Sequence, residues 1–226
     1  AQDCATDADS ELLFLTIHQA KELWFKLMIH ELEGARRALY AGDELRAYKI
    51  LTRVHSYHGA TLATTSMSGI PPILEPFDLP LGGFVHCPAP HYYLAKTERS
   101  LEEYGLWSVE ETEKAMEREG PETIAAMFVE PVQGAGGVII PPPGYLEGVR
   151  ELCRRYSILF VADEVITGYG RLGKWFASQL WDLDPDLMNT AKAVTSGYQP
   201  LSALFVRDEI AQTILDGGFF SHINTY

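Results

Sequence analysis

LFVADEVITGYGRLGKWFASQLWDLDPDLMNTAK, residues 159–192, decides the fold. Together with Ile158, its first four residues make a short continuous apolar run, the pattern of a parallel strand covered on both faces. The run stops at Asp163-Glu164. In an open α/β sheet ligands bind beyond the carboxyl ends of strands, so a carboxylate placed there points into a site more readily than into bulk water. Gly168, Gly170 and Gly173 then make a loop, and after a short amphipathic segment a second strand-like stretch delivers Lys192. The 29-residue interval between Asp163 and Lys192 is close to one strand–helix–strand unit of roughly 30 residues. An acid and an amine therefore share one sheet edge.

That pair suits a particular chemistry. A lysine amine condenses with a carbonyl as a Schiff base when its surroundings favour the neutral form, and a buried carboxylate can keep a pyridine nitrogen protonated. The opposing interpretation is a surface acid pair and a surface lysine, and other motifs tip the balance. FVEPVQGAGGVIIPPPGYL (128–146), LFVADEVITGYGRLG (159–173), AKAVTSGYQPLSA (191–203) and FSHINTY (220–226) resemble, in order and spacing, motifs of the class III pyridoxal-phosphate aminotransferases. The resemblance runs from about Ser56 to Tyr226. It implies an α/β fold with a mostly parallel sheet and flanking helices, the partial large domain of fold-type I pyridoxal-phosphate enzymes. It also implies roles. Lys192 would carry the Schiff base and shuttle a proton. Asp163 would pair with the pyridine nitrogen, Val165 would pack on one ring face, and Tyr57 would stack on the other with His58 beside it. Glu130 would begin a cofactor-side loop, and Thr225 would reach the phosphate of a partner subunit's cofactor, implying a homodimer with shared active sites. GAGG (134–137) and PLSA (200–203) are most similar to the amine:pyruvate branch, so the implied substrates are a primary amine or ω-amino acid and a 2-oxo acid.

The preceding segment reads differently. From Ser10, a helix N-cap residue type, apolar residues at 13, 17, 20, 24, 27, 28 and 32 keep the three-and-four spacing of a helix with one buried stripe. Gly42-Asp43 closes it, and ELRAYKILTRV (44–54) is expected to start a second helix. Residues 1–54 thus read as a helical hairpin lying outside the sheet. SELLFLTIHQAKELWFKLMIHELEGARRAL (10–39) resembles the distal haem-pocket segment of tryptophan 2,3-dioxygenases. By that resemblance Phe14 and His18 line a substrate pocket and haem becomes the alternative cofactor. The match stops near Val54, before the family's proximal histidine, and haem needs that axial ligand. One resemblance gives way to the other across Val54–Ser56 without the flexible polar stretch usual at domain boundaries, which reads as a junction between residues 1–54 and 55–226. In the aminotransferase family a Gly-Ser-rich phosphate loop precedes the counterpart of Tyr57, and a small domain with a carboxylate-binding arginine follows that of Tyr226. The expectation is therefore weak phosphate affinity and impaired turnover, with a haem-dependent tryptophan 2,3-dioxygenase fragment or a catalytically silent fusion as the alternatives.

Elsewhere SVEETEKAMEREG (108–120) matches a capping box from Ser108 to Glu111 and predicts a helix over 109–119. Residues 70–92 are rich in proline and glycine and predict a long excursion with little regular structure. Ile124–Val129, Ala203–Val206 and Asp208–Asp216 predict a strand, a strand and a helix. The 226 residues carry 18 basic against 31 acidic side chains, a net charge of −13, so nucleic acid and anionic membrane are not expected partners. Cys4, Cys87 and Cys153 are too scattered for a disulfide framework or a zinc site, and no metal is expected. They fit a reducing cytoplasm. No apolar run approaches the roughly 20 residues of a membrane span, and the acidic amino terminus is unlike a signal peptide.

Overall fold

The computed structural model describes residues 49–216. In chain order its main elements are β1 (Lys49–Arg53), α1 (Leu62–Met67), β2 (Phe84–Cys87), α2 (Leu101–Glu119), β3 (Ile124–Val129), α3 (Tyr145–Arg155), β4 (Leu159–Asp163), β5 (Leu187–Thr190), β6 (Ala203–Val206) and α4 (Asp208–Asp216). The strands form one six-stranded sheet in the order β2-β1-β3-β4-β5-β6. The first five run parallel, and β6 pairs antiparallel with β5. The expected α/β architecture is the observed one.

Both faces of the sheet are covered, which explains the unbroken apolar strands. Leu51, Met127, Val129, Phe160 and Ala162 join Met116, Tyr145, Val149 and Leu152 in one core, beneath α2 and α3. Ile50, Ala126, Phe128 and Val161 alternate with them and join Met67 and Ile210 in the other, beneath α1 and α4. Side chains of a strand alternate between faces, so IAAMFV in β3 can be buried at every position only between two layers. Fully burying one such residue as large as Phe160 contributes roughly 1.5–3 kcal/mol.

Three expectations need correction. The helix predicted over 44–54 is contradicted at residues 49–53, which form β1, paired with β2 on one side and β3 on the other. Ile50, Leu51, Thr52 and Arg53 are all buried, and four consecutive buried residues need two covered faces, which one helix stripe cannot supply. Val54–Ser56 is accordingly the turn that leaves β1, with Val54 N–H bonded to the Cys87 carbonyl at 2.8 Å and His55 N–H to that of Gly69 at 2.7 Å. The predicted hairpin is otherwise outside the described residues. The 70–92 excursion contains a parallel edge strand, β2. Finally, α2 starts eight residues earlier than predicted, capped by Ser100 and Glu103. Ser108 is interior, its hydroxyl donating to the Tyr104 carbonyl at 2.8 Å. The predicted stop at Gly120 and the elements at 124–129, 203–206 and 208–216 are as observed.

Among the described residues Cys87 and Cys153 are free and buried, and burial pushes the Cys87 thiol up to about 12. No described helix is long and apolar enough to cross a membrane.

Candidate active site

The carboxyl ends of β1, β3, β4 and β5 lie along one edge of the parallel sheet. Asp163 is the last residue of β4, 5% exposed, in register with Asn189 of β5. It follows Val161 on the face of Phe128, since alternate residues share a face. Its Oδ1 accepts from Val165 N–H at 3.1 Å and from Asn189 Nδ2 at 3.0 Å. Its Oδ2 lies 2.7 Å from His58 Nδ1. The two donors on Oδ1 favour the ionised carboxylate.

Lys192 lies three residues beyond Asn189, so it leaves β5 at the edge where Asp163 ends β4. It opens a single 3-10 turn, is exposed, and has φ of 50°. A residue other than glycine in the left-handed region is uncommon and tends to mark functional sites. Val165 is buried at 9% exposure, one turn beyond Asp163. Tyr57 is half-buried, and burial pushes its phenol up.

Two further candidate residues are held by protein partners. His58, read beside Tyr57 as a cofactor neighbour, is bonded to Asp163, and its ring meets Phe128 edge to face at 5.9 Å. Glu130, at the end of β3, is buried and accepts Tyr57 N–H at 2.9 Å and Gly134 N–H at 3.1 Å, so it ties two loops together. Burial, the largest influence, pushes its carboxyl up; His58, the Tyr57 N–H and Arg53 oppose this, and Asp163 reinforces it. Thr225, Phe14 and His18 lie outside the described residues.

The loops close on one another without spare room. A Cβ added to Gly136 would stand 2.1 Å from the His55 backbone oxygen, and one on Gly134 would stand 2.3 Å from Ile166 Cδ1. Backbone cannot yield as a flexible side-chain tip can. Gly136→Ala should therefore destabilise the protein by about 1–3 kcal/mol, the range for overpacking a tight site, and Gly134→Ala by less. Urea titration of both variants checks the order.

Sequence reasoning missed four further residues here. Arg53, 1% exposed, donates through Nη2 to the Glu130 carbonyl and sits over the Tyr145 ring at 5.9 Å from its centroid. Gln133 donates to the Val54 carbonyl at 2.9 Å. Glu164 is fully buried and organises the loop after β4. Asn189 could have been found, because a polar residue three positions before Lys192 in an apolar strand falls in register with Asp163.

A twisted, mostly parallel sheet with an acid and an amine at its carboxyl edge defines an α/β enzyme class whose ligand sits over that edge. Residues 17–226 match the family described as Aminotransferase class-III, and the chain belongs to it. The match begins at residue 17, inside the segment 10–39 for which a dioxygenase likeness was expected. The chain is 45% identical over 177 residues to the putrescine–pyruvate aminotransferase of Pseudomonas aeruginosa, covering 78% of this chain and 39% of that protein. It is 43% identical over 183 residues to the chloroplastic gamma aminobutyrate transaminase 3 of Solanum lycopersicum, covering 79% and 35%. Among solved structures, the omega transaminase of Pseudomonas jessenii in complex with PMP superposes with a TM-score of 0.80 at 40% identity, covering 85% of this chain and 42% of that one. The chain thus spans about two fifths of the length of these relatives.

Members of this family use pyridoxal phosphate, and the edge residues suit that group. Asp163 is a buried carboxylate that accepts from Val165 N–H and Asn189 Nδ2, Asn189 Oδ1 next to it has no hydrogen-bond partner, and an exposed amine follows β5.

Proposed function

We propose that the chain carries the catalytic sheet edge of a pyridoxal-phosphate-dependent aminotransferase that moves an amino group from a primary amine or ω-amino acid to a 2-oxo acid. The observation that carries this is the placement of Asp163 and Lys192 at the ends of neighbouring parallel strands. Bound there, pyridoxal phosphate supplies an electron sink for the substrate's α-carbon. With the cofactor bound, Lys192 Nζ would be the group that holds it and would move the substrate's proton as general base and acid. Asp163 would hold a proton at the ring nitrogen, Tyr57 and Val165 would orient the ring, and Glu130 fixes the loop bearing Tyr57. A homodimer is what the family resemblance implies, and Tyr93, Leu94, Val138 and Ile140 are exposed apolar side chains available to an interface. Free cysteines fit a cytoplasmic setting.

The test is full-chain protein incubated with pyridoxal phosphate, putrescine and pyruvate, with alanine as the readout. Alanine that requires all three components and the protein is expected. Neither alanine nor a visible absorption band from bound cofactor would sink the reading.

A further inference from the structure

The contact between His58 and Asp163 joins residues 105 positions apart, and its chemistry is narrowly constrained. The two side chains are 2% and 6% exposed, so water does not mediate between them. At 2.7 Å the spacing is that of a charge-assisted bond. An imidazole whose Nδ1 lacked a proton would present a lone pair to a carboxylate oxygen, which carries only lone pairs itself. With Asp163 ionised, as its two donors on Oδ1 favour, the Nδ1 proton is therefore required. The other ring nitrogen, Nε2, is buried without a hydrogen-bond partner, beside the edge-on Phe128 ring. Remaining groups facing the imidazole are Glu130 and His86, which interact with it electrostatically.

Resting on the aminotransferase reading, we propose that His58 is a positioning residue. Its Nδ1–H grips Asp163 Oδ2 and, with Val165 and Asn189 on Oδ1, fixes the carboxylate in the orientation that receives a protonated ring nitrogen. A strand-end aspartate has two side-chain torsions to lose. Donors on both oxygens from three separate positions, the loop after β1, the turn after β4 and β5 itself, remove that freedom before the ligand arrives. Pre-organisation of this kind raises affinity by lowering the cost of ordering.

Two measurements on the full chain test this. In the cofactor-free protein, long-range 15N–1H NMR should show His58 protonated at Nδ1. An unprotonated Nδ1 would overturn the proposal outright. Ring-nitrogen discrimination is the second: the wild type should bind pyridoxal phosphate roughly 10- to 100-fold more tightly than its 1-deaza analogue, the value of one hydrogen bond to a charged group. H58N, whose amide reaches as Nδ1 does, should keep most of that ratio. H58F, which keeps the ring's bulk, should lose it to within about threefold. Equal discrimination by H58F and the wild type would overturn the proposal, because bulk alone would then suffice. If H58F fails to fold, H58Q, whose amide reaches towards the Nε2 position, takes its place. No pyridoxal phosphate binding by the wild type would sink the aminotransferase reading instead, and the NMR result would then decide the His58 contact by itself.

Discussion

Replacing Lys192 with alanine is expected to remove the borohydride-fixed pyridoxal phosphate adduct and to lower any amine-to-pyruvate turnover by roughly three orders of magnitude or more, as loss of a covalent nucleophile does. Two of the other described lysines, Lys49 and Lys114, define the controls. Lys49 opens β1 at the amino edge of the sheet and is held by Glu119, at 2.9 Å from its carboxylate and 2.7 Å from its carbonyl. Lys114, on the outer surface of α2, is paired with Glu111 at 2.8 Å, and that bond keeps its amine above the usual range. A paired ammonium is a poor nucleophile, because only the neutral amine attacks a carbonyl. Peptide mapping after borohydride reduction should thus place a single pyridoxyl group on the peptide containing Lys192. K49A and K114A should leave it there. An adduct spread over several lysines and undiminished in K192A would mean ordinary surface labelling, and the catalytic role of Lys192 would be lost.

The sheet edge was legible because parallel strands buried on both faces announce themselves as short apolar runs, and the residue that ends such a run has a predictable location. That logic places Asp163 and Lys192 on one side and implies that Asn189 is beside Asp163. It fails at Lys49–Arg53, where a lysine and an arginine bracket three residues and the segment follows a long helix-like pattern. The arginine is buried regardless, because its charge meets the Glu130 carbonyl and the Tyr145 ring inside the fold. Gly105 lies between the two candidate starts of α2. In the fold it is a site of close packing: a Cβ there would lie 2.1 Å from the Pro143 carbonyl oxygen. Both Ser100-x-x-Glu103 and Ser108-x-x-Glu111 satisfy the same capping pattern, and only the packing against residues 142–143 chooses between them. The His58 contact to Asp163 was beyond reach for another reason. Local spacing says nothing about two side chains that meet only after β1, β3 and β4 have paired.

Glu164 carries the largest expected effect on stability. It is fully buried, and its carboxylate accepts from Ala177 N–H at 3.0 Å, from Ser178 N–H at 2.6 Å and Oγ at 2.7 Å, and from the Thr167 hydroxyl. Its own backbone bonds the Asn189 carbonyl and the Gly168 N–H, each at 2.9 Å. The side chain thus closes the loop from 164 to 178, while the backbone of the same residue ties it to β5, next to Asp163. Glu164→Ala strands four buried donors, each costing about 1–3 kcal/mol if left unmade. Partial relaxation and water entry reduce that sum, so a net loss of about 3–5 kcal/mol is expected, at the upper end for single substitutions. Glu164→Gln keeps the shape and one oxygen but turns an amide donor towards other donors, so its loss should fall between alanine and wild type. Urea unfolding measures both, and limited proteolysis shows where the damage lies. Cleavage confined to residues 165–177 with the midpoint unchanged would mean that the loop opens independently of the sheet, and Glu164 would then order the site without contributing to global stability. A lowered midpoint with an unchanged slope would mean that closing this loop is part of the cooperative fold.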